Sequence, residues 1–531
     1  MIVWIAHAKV GHRQTPYKQN APAVSQQGRF AFLCTYAKQV AILSPMTTES
    51  ELKLRVNPEH FAQLKRELRP YQITKPVTRR LHNVYFDTPA LDLHKRKMAL
   101  RLRRVGGKWL QTLKGGGSVV AGLHQRDEEE IEVPDGRLDL VSLKEALPDE
   151  VFLPCIRENL QPLFATDFHR TSYTIDWQGA SIEVCLDRGE VRMNEQFEPI
   201  NEVEMELVSG ESVKLFELAL SLLDTLPFEL EMVSKAEKGF RLVTNFVPKP
   251  VKAEMPSETG ELSVGLQASI WSSLMHLQGN LHGAIEGKDP EFLHQMRVAL
   301  RRLRVVLRIC EKMHADITLS ALRAFAASLG ARLGQLREWD VFIAQIEASN
   351  LGASGKRAMS AYAESKRRDI FAGLPFIDIQ RLLLRFVIWM DGEYWDSARQ
   401  CEQPISKFAS RYLQKLHRRY QHARRQRNDI DQLHVLRIEA KKLRYGSELF
   451  SGLYEARRVR KYLEALGQVQ DALGEIHDIV VAKRLIGEMI LPRRKKTLTD
   501  FEIEMDLLLS KKLKAFKRLV SAFDRMPVFW K

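Results

Sequence analysis

Hydrophobic and polar residues alternate one by one in the first half of the chain, and then follow a spacing of three and four. The alternating runs, which include SELKLRV, HNVYFDT, SIEVCLDRGEVR and NEVEMELV, lie within residues 47–246. This period predicts a sheet-rich domain, and helical patterns intervene at 58–68 and 212–226. After a linker at 247–262, rich in proline and charge, the helical period predicts an all-helical domain over 263–520.

The first 45 residues show neither period and contain few acids. We expect a disordered extension there. Because Met46 stands directly before the first strand pattern, an alternative is that translation begins at Met46 and that 1–45 is a misassigned start.

The helical half contains an internal repeat. The segment HQMRVALRRLR at 294–304 matches HVLRIEAKKLR at 434–444, and LGQLREWDV at 333–341 lies over LGEIHDIVV at 473–481. Both pairs share one offset of 140 residues, which is difficult to obtain by chance. The pattern predicts a helical bundle of two related halves.

Charged residues share one face on each of several strands. A solvated outer face would explain any single strand, but five such faces favour an inward-facing arrangement in which carboxylates hold hard cations and basic residues hold phosphate oxygens. The five sets are Glu49, Glu51, Lys53 and Arg55; Arg101 and Arg103; Arg126, Glu128 and Glu130; Glu183 and Asp187; and Glu202, Glu204 and Glu206.

The composition of the chain limits the kinds of binding partner and the cellular compartment that we expect for the protein. The net charge of +15 indicates an anionic partner, which includes nucleic acid and membrane surfaces as well as phosphates. No apolar run is long enough to cross a membrane. The five scattered cysteines have no disulfide or zinc spacing, which favours the cytoplasm.

Basic residues form one stripe on each repeated helix, nearly free of acids. Such stripes repel themselves unless an anion offsets the charge, so they predict a polyanion site. Nucleic acid is the less favoured polyanion, because no reader motif or platform of interleaved aromatic residues accompanies the stripes. The predicted contacts are His294, Arg297, Arg301, Arg304, His434, Arg437, Lys441 and Arg444.

The ordered motifs of the first domain resemble the CYTH family, the triphosphate tunnel metalloenzymes. They are E-x-E-x-K at 49–53, YFDT at 85–88, RLR at 101–103, TLKGGG at 112–117, RDE at 126–128, RTSY at 170–173, LDRG at 186–189, EVEME at 202–206 and SK at 234–235. The resemblance implies a closed eight-stranded antiparallel β-barrel, and therefore an α+β protein of two domains.

The same resemblance implies residue roles. Inorganic triphosphate would contact Lys53, Arg101, Arg103, Lys114, Arg126, Arg170 and Lys235. Mg²⁺ or Mn²⁺ would be bound by Glu49, Glu51, Glu128, Asp187, Glu204 and Glu206. Catalytic roles would fall to Lys53, Glu202, Glu204, Glu206 and Lys235, although the sequence leaves open which two of the three glutamates bind metal.

The second domain resembles the CHAD family, which implies polyphosphate binding along the basic helices. Together, the resemblances imply metal-dependent hydrolysis of inorganic triphosphate to diphosphate and phosphate, with polyphosphate bound by the helices. Two alternatives stay open: the same tunnel could act as a thiamine triphosphatase or a class IV adenylate cyclase, or both domains could bind polyphosphate without catalysis.

Overall fold

The computed structural model describes residues 47–152, 159–252, 261–287, 289–374, 376–395, 404–426, 429–491 and 494–531. Two compact units are present, one reaching Pro248 and including Leu383–Asp391, and the other taking in the rest from Lys249. We call them the β domain and the helical domain. The expectations for residues 1–45 lie outside the described residues.

A single antiparallel sheet of nine strands forms the β domain within the described residues, in the order β5-β4-β3-β2-β6-β7-β8-β1-β9. The strands are β1 (Thr47–Val56), β2 (Val77–Asp87), β3 (Ala99–Val105), β4 (Lys108–Val120), β5 (Leu123–Val133), β6 (Gln161–Trp177), β7 (Ala180–Met193), β8 (Gln196–Ser209) and β9 (Phe228–Leu230).

The sheet curls so that its two ends meet at β1. Residues Thr47–Leu52 of β1 pair with β5, whereas Glu51–Arg55 pair with β8 and Leu54–Val56 with β9. Among the described strands, Glu129–Val133 of β5 pair only with β4. The predicted closed barrel of eight strands is therefore confirmed only as a curled antiparallel sheet, because the pairing that joins its ends covers half of β1.

The α-helices that accompany the sheet and lie wholly within the described residues are α1 (Phe61–Leu68), α2 (Asp92–Lys95), α3 (Leu140–Ala146), α4 (Val213–Leu222) and α5 (Lys235–Val243). Helix α5 begins at the N-cap Ser234, and its Ala236 and Phe240 pack with Phe164 and Phe168 of β6. Gly239 permits this approach, because a Cβ there would lie 2.0 Å from Phe164 Cε2. The apolar contact fixes Lys235, at the start of α5, over the same face of the sheet.

The later helices are α6 (Leu262–Gly279), α7 (Leu281–Glu286), α8 (Pro290–Met313), α9 (Ile317–Ala348), α10 (Ala353–Ala372), α11 (Phe376–Asp391), α12 (Ile405–Arg425), α13 (Ile430–Leu449), α14 (Ala456–Glu488) and α15 (Lys495–Phe523). They belong to the helical domain, except for the Leu383–Asp391 part of α11. No helix in the described ranges is both long and apolar enough to span a membrane.

The sequence repeat coincides with corresponding helices. Asp289 caps α8 by accepting a hydrogen bond from the Glu291 amide, and Asp429, 140 residues later, caps α13 by accepting one from the Gln432 amide. A long helix follows each: α9 after α8, and α14 after α13. Apolar residues of both repeats, such as Leu300 and Ala440, are buried, so each basic stripe borders the domain core.

Candidate functional site

Strand pairing orders the charged residues of β1, β7 and β8 into three rows. Glu206 of β8 lies opposite Glu51 and Glu183, Glu204 opposite Lys53 and Cys185, and Glu202 opposite Arg55 and Asp187. These residues occupy alternate positions and therefore share a face. One row is wholly acidic, while the other two mix acid and base.

Lys235 and Glu204 are the centre of a buried network of ion pairs. Lys235 Nζ lies 2.8 Å from Asp187 Oδ2, 2.7 Å from Glu202 Oε2 and 2.8 Å from Glu204 Oε1. Glu204 also pairs with Lys53 and Arg170. Arg170 donates two hydrogen bonds to Asp187, of 2.8 and 2.6 Å. Each buried charge thus has a partner of opposite sign, which burial requires.

These partners keep the network ionised. Burial by itself would raise the pKa of Glu202, but Lys235 and Lys238 hold that pKa down to about 2. Burial would likewise lower the pKa of Lys53 and Lys235, yet the surrounding carboxylates raise both. The acids and bases therefore remain charged throughout the neutral pH range.

Lys238 extends the network, and the sequence reasoning did not select it. Its Nζ lies 2.7 Å from Glu202 Oε1 and 3.4 Å from Glu231 Oε2. The available signal was its position three residues after Lys235, since residues at that spacing share one helix face.

A second group of bases lies on β3 and β4. Lys114 Nζ is 2.7 Å from Glu128 Oε2, while Arg101 Nη2 is 3.4 Å from Glu128 Oε1. Arg103 Nε donates to the neutral side-chain amide of Asn83 over 2.9 Å. Burial, with Arg101 and Arg170 nearby, lowers the pKa of Arg103 to about 10. This side chain would gain most from an added anion.

The carboxylates predicted to bind metal occur in different settings. Asp187 and Glu204 are held in the Lys235 network, and Glu128 is held by Lys114. Glu51 lies 2.7 Å from Lys53 Nζ and belongs to the acidic row with Glu206 and Glu183. Within the described ranges, no three or more Asp, Glu, His or Cys side chains form a ready metal-ligand set. Their oxygen chemistry nevertheless suits Mg²⁺ or Mn²⁺.

Two predicted residues, Glu49 and Arg126, are placed by backbone pairing alone. They lie directly opposite one another on β1 and β5. Their side chains lie outside the described part of the structure. By position along the strands, Glu49 alternates with Glu51 and Arg126 with Glu128.

In the helical domain, four bases from the two repeats approach one another. They are Arg297 and Arg301 of α8 with Arg437 and Lys441 of α13, and we call them the cationic cluster. Arg301 Nε donates to the Tyr445 hydroxyl over 2.8 Å, and Arg297 Nη1 donates to the Gly334 carbonyl over 3.4 Å. These acceptors are neutral, so they do not offset the charge.

Mutual repulsion in a partly buried setting shifts the titration of this region. Burial, with Arg301 and Arg337 nearby, lowers the pKa of Arg297 to about 10. Burial and neighbouring arginines also lower the pKa of His294, to about 4. Two acids partly oppose the repulsion: Glu338, which pairs with Arg484 at 2.6 Å, acts on Arg297, and Asp478 acts on Arg437 and Lys441.

Other predicted polyanion contacts have different surroundings. Arg444 Nε lies 2.9 Å from Glu448 Oε1 and is therefore compensated. Arg304 lies beside Arg308 and Arg323, which with burial lower its pKa. His434 stacks with His477 at a ring-centroid distance of 5.6 Å. In the first repeat Arg337 occupies the place of His477, so the two halves are not electrostatically equal.

A curled sheet with a face of buried ion pairs, followed by a helical domain with uncompensated bases, defines a two-domain protein with two candidate anion sites. Residues 47–240 match the CYTH domain family, and residues 268–487 match the CHAD domain family. The chain therefore carries a CYTH domain and a CHAD domain.

Comparison with individual proteins gives three informative similarities. The chain is 36% identical over 201 residues to the inorganic triphosphatase of Haemophilus influenzae, a match that covers 37% of this chain and spans only 55% of that protein. The CHAD domain structure from the plant Ricinus communis is 27% identical, covers 53% of this chain and 99% of its own, and gives a TM-score of 0.46.

A third similarity is to a structure from Hippeastrum, described as a putative adenylyl cyclase with a dominant triphosphatase activity. It is 20% identical, covers 38% of this chain and 97% of its own, and gives a TM-score of 0.26.

Proposed function

We propose that the β domain hydrolyses inorganic triphosphate to diphosphate and phosphate with a divalent cation. The observation that carries this proposal is the convergence of bases and carboxylates from β1, β3, β4, β6, β7, β8 and α5 on one face. The 36% identity to an inorganic triphosphatase supports it. A site lined in this way can offset substrate charge and also hold a hard cation.

Arg103, Arg101 and Lys114 are the proposed first contacts for phosphate oxygens. Arg103 has the weakest compensation, because its side chain donates to an amide rather than a carboxylate. Planar guanidinium groups match two phosphate oxygens at once, which fixes the orientation of the chain of phosphates. Arg126 stays a predicted contact on the same strand face.

Lys53, Arg170 and Lys235 are proposed to exchange carboxylate for phosphate when substrate enters. Each already lies against Glu204, so the site holds its cations in position without leaving them unpaired. The released carboxylates can then orient a water molecule toward the terminal phosphorus. Glu202 and Glu204 have lowered pKa values and are therefore weak proton acceptors, so we assign them orientation rather than deprotonation.

Mg²⁺ or Mn²⁺, when bound, would neutralise phosphate charge and polarise the phosphoryl oxygens. Glu51 and Glu206, together with Glu183 in the same row, are the proposed holders, with Glu49 as the further predicted ligand. Glu183 was placed on this strand face by its sequence but was not assigned a metal role.

The test is phosphate release by the full chain with Mg²⁺ or Mn²⁺ and with a chelator. Inorganic triphosphate, diphosphate, ATP, thiamine triphosphate and long-chain polyphosphate are compared as substrates, and cyclic AMP is assayed separately. We expect preference for inorganic triphosphate and loss of activity with the chelator. Phosphate release from thiamine triphosphate alone would favour a thiamine triphosphatase instead. Formation of cyclic AMP would favour an adenylate cyclase.

A matched pair of variants separates the site from the scaffold. Glu51→Gln should reduce turnover by at least about 100-fold, because a carboxylate ligand is lost without a change in size. Glu132→Gln, on exposed sheet surface where Glu132 pairs with Lys108 at 2.8 Å, should retain activity. Equal activity in the two variants would remove Glu51 from the site.

We also propose that the helical domain binds inorganic polyphosphate at the cationic cluster. The lowered pKa values of Arg297 and Lys441 support this, because a long anion relieves repulsion among several bases at once. Polyphosphate titration of the full chain and of Arg297→Gln/Arg437→Gln tests it. Arg460→Gln, on an exposed turn of α14, is the control. Unchanged affinity in the double variant would refute the site.

A further inference from the structure

Lys441 differs from the lysine beside it. It lies on α13 one turn after Arg437, and Arg297 and Arg301 of α8 are among its charged neighbours. In the described part of the chain no carboxylate forms an ion pair with Lys441. Lys442, the next residue, is instead paired with Glu439. Two adjacent lysines thus have opposite electrostatic surroundings.

This setting affects the reactivity of the Lys441 amine. Burial, together with Arg437, Arg301 and Arg297, lowers the pKa of Lys441 to about 7 despite the opposing charge of Asp478. At neutral pH a large fraction of the amine is therefore unprotonated, and only that form is nucleophilic. The partly exposed position of Lys441 leaves the amine open to a small reagent.

The same arginines form a candidate binding site for a phosphoryl group beside this amine. Among the described residues the buried Arg437 Nε has no hydrogen-bond partner, and Arg297 Nη1 donates to the Gly334 carbonyl at the long distance of 3.4 Å. Guanidinium groups with unused donors bind phosphate oxygens well. A molecule that joins a phosphate to an electrophilic carbon would place that carbon near Lys441.

We propose that Lys441 is an acylation site for acyl phosphates. The arginines hold the phosphate, and the unprotonated Lys441 Nζ attacks the carbonyl carbon. A C–N bond forms, the bond between that carbon and the phosphate oxygen breaks, and inorganic phosphate leaves while the amine nitrogen loses a proton. The product is a neutral amide, and no oxidant or further reactant is required.

Acylation would regulate the cationic cluster. It removes the capacity of Lys441 to become charged and adds volume between α8 and α13, so polyphosphate should bind the acylated protein more weakly. This consequence rests on the proposed polyphosphate site. The acylation itself does not, and it is measured without any polyphosphate or triphosphatase assay.

The test uses acetyl phosphate on the full chain at pH 7, with acetylation rates at individual lysines measured by mass spectrometry. Lys441 should react at least about tenfold faster than Lys442, because a large fraction of the Lys441 amine is unprotonated whereas the Lys442 ammonium is paired with Glu439. Equal rates at the two lysines would overturn the proposal.

A second reagent separates the contribution of phosphate binding from that of amine protonation. The uncharged ester N-hydroxysuccinimidyl acetate reports amine protonation alone, so its preference for Lys441 over Lys442 should be several-fold smaller than that of acetyl phosphate. Arg437→Gln should reduce the preference with acetyl phosphate, whereas Arg460→Gln should not. Because the comparison of reagents uses the unmodified sequence, it does not depend on how the variants fold. An equal preference for Lys441 over Lys442 with both reagents would show that the arginines do not bind the phosphate of the acyl donor.

Discussion

The two domains each bring basic side chains together, but they offset the charge differently. In the β domain, Lys235 is surrounded by three carboxylates, and Arg170 is bonded to two. In the helical domain, Arg297 and Arg301 donate to a carbonyl and a hydroxyl. The first domain holds neutralised pairs, and the second holds an excess of positive charge.

This difference indicates two ways of receiving an anion. Paired bases are kept in place and fully charged, so the substrate must displace carboxylates, which are then available for a cation or a water molecule. Bases without an ion-pair partner repel one another in the absence of an anion, so anion binding removes an unfavourable electrostatic free energy. The first arrangement suits a reaction with one small substrate, and the second suits retention of a long polyanion.

The largest predicted effect comes from breaking the pairs at their centre. Glu204→Gln leaves Lys53, Arg170 and Lys235 without a shared carboxylate and should destabilise the β domain by about 3–5 kcal/mol. Chemical denaturation followed by hydrogen exchange in each domain measures this effect. Exchange should increase in β1 and β8 and remain unchanged in α8 and α13. Glu132→Gln is the control, and a similar loss in that variant would contradict the special position of Glu204.

Acid should weaken the β domain through Glu202. Its pKa is about 2 in the folded protein against 4.5 in the reference state, so its stabilising contribution is present above pH 4.5 and is lost as pH falls toward 2. The shift corresponds to roughly 3 kcal/mol at most. Stability measured between pH 2 and 6 should fall more steeply in the native sequence than in Glu202→Gln. Parallel curves would count against the ion pairs of Glu202.

Removing bases from the helical domain should produce the opposite sign of stability change. Arg297→Gln/Arg437→Gln should lower polyphosphate affinity by at least about tenfold while raising the stability of the unliganded domain by about 0.5–1 kcal/mol, because repulsion is relieved. Calorimetric titration and denaturation check the two quantities. A variant that is both weaker in binding and less stable would show that the bases are compensated after all.

The smallest predicted effect is a pH dependence of polyphosphate affinity. The pKa of Lys441 is about 7 in the free protein and should rise when an anion binds. Its contribution to binding is therefore complete below pH 7 and is lost as pH rises toward the pKa of the complex. Lys441→Arg keeps the charge at all these pH values and should flatten the profile between pH 6 and 9. An unchanged slope would assign the effect to another group.

Sequence periodicity was sufficient to predict the order of a sheet domain and a helical domain, because one-sided burial imposes periods of two and 3.6. It also placed Glu202, Glu204 and Glu206 on a common face. Periodicity could not assign different roles to these three glutamates, because their roles depend on which residues of β1 and β7 lie opposite each of them. Pairing places Glu206 beside Glu51 and Glu183, and Glu204 beside Lys53.

Contacts between distant segments were also beyond the sequence. The role of Lys238 depends on the packing of α5 against β6, which brings it to Glu202 of β8. Arg444 is instead paired with Glu448, one turn further along its own helix. The partner of Lys238 lies on a strand distant in sequence, and the partner of Arg444 lies on its own helix. The sequence alone does not show which of these two kinds of partner a given base takes. The predicted barrel closure likewise depended on how much of β1 pairs with β5.

The most direct test of the contrast between the domains is hydrogen exchange of the full chain with two anions. With Mg²⁺, non-hydrolysable imidotriphosphate should protect β1, β3, β6 and β8, and long-chain polyphosphate should protect α8 and α13. Protection of the same segments by both anions, or of the helices alone by imidotriphosphate, would contradict a separate triphosphate site in the curled sheet.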